Sequence, residues 1–125
     1  MTVTISIVWR ISSEKIEEII EKFKLKPCAI FKKGELRRSK VFKESSMNVP
    51  VFDGDMTIMN RRLKRFFTAK KEAMTYFKRM KIKSGIDIGI IDISPDVGEI
   101  SLFLEPEIMG LFNKYDIGLV ISQIV

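Results

Sequence analysis

From Val3 to Trp9 every second side chain is apolar, with Thr4 and Ser6 between them, Arg10 beyond and Val8 as the single exception. A period of two is the signature of a strand with one buried face, so the chain opens on a strand. Ser12 and Ser13 then offer side-chain oxygens to the unpaired N–H groups of a starting helix. Ile16, Ile19, Ile20 and Phe23 fall on one face of that helix, with Glu17, Glu18, Glu21 and Lys22 outside. Pro27 disfavours helical geometry in the residue before it, which predicts an end near Lys24.

The middle of the chain is less regular. Cys28 to Phe31 is a short apolar stretch stopped by Lys32, Lys33 and Gly34, and a second strand-like piece follows at Lys40 to Lys43 after the basic loop Leu36 to Ser39. Residues 44–55 collect Ser45, Ser46, Asn48, Pro50, Asp53 and Gly54 around Val49, Val51 and Phe52. Such turn formers predict an ordered loop with at most a brief edge strand. The strongest helical pattern runs from Thr57 to Lys81: Met59, Leu63, Phe66, Phe67, Ala73, Met74, Phe77 and Met80 recur at three and four, uninterrupted by Gly or Pro. A helix of about 24 residues would run roughly 36 Å. Lys70 and Lys71 interrupt the stripe at its middle, where a kink or break is expected.

Ser84 and Gly85 end that segment. Ile86 to Ile93 then alternates isoleucine with Asp87 and Gly89 until the phase slips at Ile90 and Ile91, which a β-bulge would explain. The turn Ser94, Pro95, Asp96, Val97, Gly98 leads to Ile100, Leu102 and Leu104, predicting a hairpin. Glu105-Pro106-Glu107 reads as a helix start, since proline at the first helical position forfeits no hydrogen bond and acidic groups suit the positive end of the dipole. After a short helix to about Lys114, Ile117, Leu119 and Ile121 make a last strand. This order predicts a single α+β domain over 1–125, with one mixed, mainly antiparallel sheet and helices packed on one face.

Charge and composition then narrow the chemistry. The chain has 125 residues and a net charge of +6, with one cysteine and no histidine. No intramolecular disulfide forms from one cysteine, and the usual zinc sets of Cys and His cannot be assembled. Cys28, between Pro27 and the apolar Ala29 and Ile30, is expected to be a half-buried, unreactive thiol. The N-terminus lacks a basic region followed by an apolar run, and no stretch approaches 18 apolar residues, so a cytoplasmic location is expected. The charge is unevenly spread: residues 1–83 carry 21 Lys and Arg against 9 Asp and Glu, whereas residues 84–125 carry 1 against 7. The two parts either pair internally or present surfaces of opposite sign.

Among candidate functional groups, Arg61, Arg62, Lys64, Arg65, Lys70, Lys71, Lys78, Arg79, Lys81 and Lys83 make the long helical segment basic, a composition that phosphates reward through counterion release. Its phenylalanines follow helical spacing and read as core. A second basic group, Arg37, Arg38, Lys40, Lys43, Lys32 and Lys33, lies on and around a loop, where partner contacts are often found. The candidate partner-binding residues are therefore Arg37, Arg38, Lys40, Arg61, Arg62 and Arg65. Asp53, Asp55, Asp87, Asp92, Asp96 and Glu99 stand near turns or strand ends, but Asp53-Gly54-Asp55 lacks the length and terminal glutamate of a calcium loop. No Gly-rich phosphate loop or nucleophile elbow is present. The expectation is no catalytic set, no cofactor and no metal site.

Local wording adds a family resemblance. Phe23-Lys24-Leu25-Lys26-Pro27 followed by Phe31-Lys32-Lys33-Gly34, and Leu102 to Met109 continuing through Tyr115 to Leu119, together resemble the bacterial domain of unknown function 4279 family. Members usually carry a tryptophan in the middle loop, where this chain has Phe42 or Phe52. The resemblance implies a small α+β fold without assigned catalytic residues. By analogy with small bacterial immunity proteins, which neutralise a toxin by binding it, it also implies a non-enzymatic binding protein whose partner is another protein. The alternative is a nucleic-acid-binding accessory domain using the basic helix and loop. A strand at the C-terminal end could lie at a sheet edge and pair with a second copy.

Overall fold

The first strand, β1 (Thr2–Arg10), alternates as its sequence predicts: Val3, Ile5, Ile7 and Trp9 are buried, while Thr4, Ser6 and Val8 lie half-buried on the other face. A computed structural model describes residues 1–12, 14–37, 40–41, 45–91 and 102–123, and for 36, 37, 40 and 41 the backbone alone. β1 is the central strand of a five-stranded sheet of order β2-β5-β1-β6-β7, with β2 at Ala29–Phe31, β5 at Ser46–Asp55, β6 at Lys83–Ile91 and β7 at Ile117–Gln123. All neighbours are antiparallel except β6 and β7, which run parallel. A parallel pair needs a crossover, and α4 (Pro106–Lys114) lies on it. A separate two-stranded ribbon pairs β3 (Leu36–Arg37) with β4 (Lys40–Val41).

The expected loop over 44–55 is in fact mostly strand. In β5, Met47 and Val49 are buried and alternate with Ser46, Asn48 and Pro50 on the opposite face, so the polar residues mark a solvated sheet face. Beyond Pro50 the alternation breaks: Ile5 pairs with Phe52 and Ser6 with Pro50, leaving Val51 as an extra residue. A bulge is one of the few places in a sheet that tolerates proline. The bulge expected in β6 is absent, because its register with β1 runs unbroken from Thr2–Ile91 to Arg10–Lys83. Ile86, Ile88 and Ile90 are buried, and Ile91 simply turns to the other face.

The hairpin expected between 86–93 and 100–104 is not how β6 is paired. One side of β6 is taken by β1 and the other by β7, and Leu102 to Leu104 are not in a strand. The turn at Ser94–Gly98 lies outside the described residues. The Lys40–Lys43 strand is seen as Lys40–Val41, its remaining two residues also lying outside them.

Helices cover one face of the sheet. α1 (Ile16–Phe23) ends as predicted: Lys24 adopts a left-handed conformation with φ 52°, and the Leu25 N–H donates to the Ile20 carbonyl at 3.0 Å, the closing bonds of a Schellman motif. At its start the N-cap is Lys15 with no side-chain cap, in place of the expected serine. The long helix is broken where the lysines interrupt its stripe. After a 3₁₀ turn at Met56–Ile58, α2 (Met59–Ala69) and α3 (Lys71–Arg79) meet at Lys70, whose φ and ψ of −110° and 24° leave the helical region.

The stripe itself is interior: Met59, Leu63, Phe67, Ala73, Met74 and Phe77 are buried and Phe66 partly so. Met80 is the exception, 45% exposed. Trp9 from the sheet meets Phe77 from α3 at 4.4 Å between ring centroids. Phe67 stacks on Tyr115 and tilts against Phe112, which ties α2 to the end of α4. No helix in the described residues is long and apolar enough to cross a membrane.

Candidate functional site

On a helix, residues four apart share a face, and α2 uses this to divide its cations. Arg61 and Arg65 are exposed on one side, with no hydrogen-bond or ionic partner among the described residues. Arg62 turns inward, its guanidinium 5.8 Å from the Phe52 ring centroid and its Nε buried without a hydrogen-bond partner among the described residues. Lys64 reaches α4, pairing with Glu105 and, at 3.1 Å, with Glu107. Other cations of the same segment are likewise engaged. Lys78 donates to the Lys114 carbonyl at the end of α4, where a positive charge suits the negative end of the helix dipole. Part of the apparent basic face is thus a set of clips between helices, and part of the acidic C-terminal segment pairs internally with the basic body.

The candidates on the ribbon stand apart. Arg37 and Lys40 are register partners across β3 and β4, but the ribbon makes no substantial contact with α2. The five described candidates, Arg37, Lys40, Arg61, Arg62 and Arg65, therefore form two groups on separate elements. Arg38 lies outside the described residues.

The structure gathers a different set at the break between α2 and α3. Lys70, where the helix changes direction, donates from Nζ to the carbonyls of Phe23 at 3.3 Å and Lys24 at 3.2 Å, so the end of α1 is docked on the break. Two adjoining depressions of about 460 and 410 Å³ open there and share Lys22, Phe23, Lys71 and Glu72. Around them stand five cations, Lys22, Lys24, Lys70, Lys71 and Arg79, and a single carboxylate, Glu72. Phe23 and Tyr76 form an aromatic wall, 5.2 Å between centroids. Lys22 Nζ lies 4.7 Å from the Tyr76 centroid and the Arg79 guanidinium 5.7 Å from it, within cation–π range. The ammonium groups of Lys24 and Lys71 have no partner among the described residues. Like charges held against apolar rings focus a positive potential, and such a groove favours an anion.

Sequence reasoning missed this groove because its parts were assigned other roles. Lys22 reads as the solvent side of α1, Lys24 as its end, and Lys70, Lys71 and Arg79 as part of one long basic helix, the first two also interrupting its apolar stripe. The usable signal was that interruption, since two lysines at the one place where a helix loses its core face mark where another element must dock.

Two carboxylate-linked groups are perturbed. The Thr57 N–H and then its hydroxyl, both 2.8 Å from Asp55 Oδ1, hold the Asp55 carboxyl below its ordinary value. Hydrogen bonding to Glu105 and then Glu107 raises the Lys64 ammonium above its ordinary value. Cys28 is exposed, against the half-buried position expected of it, with its Sγ 3.6 Å from the Asn48 carbonyl. Among the described residues no three His, Cys, Asp or Glu side chains converge in a way that could hold a metal ion. Comparison with family models, with curated proteins and with solved structures finds no match for the chain.

Proposed function

We propose that this protein is a non-enzymatic binding module that receives an acidic segment of another protein in the groove between the end of α1 and the α2–α3 break. The observation that carries this reading is the imbalance there: five cations against one carboxylate beside two aromatic rings. Lys24 and Lys71 supply unpaired ammonium groups for carboxylates, and Tyr76 and Phe23 supply apolar surface for the intervening side chains. A groove of about 460 Å³ suits a few residues of peptide. A toxin neutralised by being bound, as an immunity protein does, is one partner of this kind.

The test is the affinity of a fluorescein-labelled peptide of alternating Glu and Leu for the protein and for Lys24→Glu/Lys71→Glu. Reversing two charges should weaken binding at least about tenfold and flatten its salt dependence. Equal affinity for both proteins would sink the proposal.

A second reading, nucleic-acid binding, is favoured by the exposed pair Arg61 and Arg65 on α2. It predicts that a single-stranded oligonucleotide binds with affinity falling steeply in salt and loses affinity when both arginines become alanine, with the groove variant unaffected.

A further inference from the structure

The two edges of the sheet are built differently. At one edge, β2 has three residues, preceded by Lys26 and Pro27 and followed by Lys32 and Lys33. Shortness, proline and lysine are the means by which sheet edges avoid pairing with other chains. At the other edge, β7 has seven residues, Ile-Gly-Leu-Val-Ile-Ser-Gln, with no charge and no proline. One side of β7 is bonded to β6, and the other faces no strand among the described residues. Val120 is 57% exposed and Ile121 48% exposed. The register with β6 sets them on opposite faces: Ile121 beside Ile88 on the helix-bearing side, Val120 beside Asp87 on the other.

We propose that β7 is the interface with a second copy of this chain, pairing antiparallel about a two-fold axis through Val120. Of the possible occupants a second copy fits best because the strand is its own complement. With Val120 opposite Val120 of the second copy, Leu119 meets Ile121, Gly118 meets Ser122 and Ile117 meets Gln123. The apolar residues pair at the centre and the small or uncharged ones at the ends. No charge faces a like charge anywhere on this ladder, although each chain carries +6. Antiparallel pairing of identical edges also closes on itself, giving one ten-stranded sheet and a dimer with no further free copy of this edge. The inference is independent of the groove, which lies on α1 and α3.

The test uses the full chain with Cys28→Ser as background. Sedimentation equilibrium should show a monomer–dimer equilibrium, and Val120→Lys, which sets two ammonium groups against each other on the axis, should weaken it at least about tenfold. Val120→Cys should form a covalent dimer under mild oxidation much faster than Asp53→Cys, an exposed position on β5. Paired residues on an antiparallel ladder have Cα atoms about 4.5–5.5 Å apart, within disulfide reach. The cross-link reads the interface even if the lysine variant fails to fold. A monomer at about 1 mM, a dimer unchanged by Val120→Lys, or equal cross-linking at the two positions overturns the proposal. Peptide affinity at the groove should be the same in all of these variants that fold.

Discussion

The side-chain amide of Asn60 clamps the backbone at Glu105: its Oδ1 accepts the Glu105 N–H at 2.9 Å, while its Nδ2 donates to the Phe103 carbonyl at 2.9 Å. One side chain near the start of α2 therefore satisfies two backbone groups more than forty residues away, at the point where the chain turns into α4. Asn60→Ala leaves both unpaired. Each should contribute about 0.5–1.5 kcal/mol, so a loss of roughly 1–3 kcal/mol is expected in chemical denaturation. Asn60→Ala with wild-type stability would show that water replaces the clamp.

One turn along α2, Lys64 acts on the same junction through Glu105 and Glu107. Its ammonium is raised above the ordinary 10.5 by those carboxylates. A raised folded value stabilises the native state fully below the unfolded value and loses that contribution as pH rises through the folded one. The stability difference between wild type and Lys64→Met should therefore be flat from neutral pH to about 10 and shrink above 10.5. The pair is partly open to solvent, so the difference should also diminish in high salt. Denaturation midpoints measured at several alkaline pH values check this.

The fold was legible where a single face was buried and periodic. β1, α1 and the α2–α3 stripe follow from spacing alone, and even the break at Lys70 is visible as two charges in an apolar row. β5 was hidden because Ser46, Asn48 and Pro50 are turn formers by composition, and because a bulge at Val51 shifts the phase of Phe52. Strand pairing was also hidden: β6 lies between an antiparallel and a parallel neighbour, and nothing in its isoleucines distinguishes that from a hairpin. The groove was illegible because it depends on where the end of α1 docks. That is set by the bonds from Lys70 to the Phe23 and Lys24 carbonyls, which have no local pattern.

Trp9 is fully buried against Phe77, yet its Nε1 has no hydrogen-bond partner among the described residues. Trp9→Ala should destabilise by about 3–5 kcal/mol through the cavity it leaves. Trp9→Phe should lose much less, since it keeps a ring on Phe77 and removes a donor that is unsatisfied in the folded state. Equal losses for the two substitutions, read from denaturant midpoints, would mean that the indole N–H is bonded after all, most simply to a buried water.

Two helices that bear on the groove end in left-handed lysines, α1 at Lys24 with φ 52° and α3 at Lys81 with φ 55°. A non-glycine residue in this conformation is strained by about 1–2 kcal/mol, and glycine is not. Both Lys24→Gly and Lys81→Gly should therefore raise stability, by up to about 1 kcal/mol once the greater freedom of glycine in the unfolded chain is subtracted. Their effects on binding should differ. Lys24 lines the groove and Lys81 does not, so Lys24→Gly should weaken the acidic peptide several-fold while Lys81→Gly leaves it unchanged. Unchanged peptide affinity in Lys24→Gly would separate the strain at this position from any role in recognition.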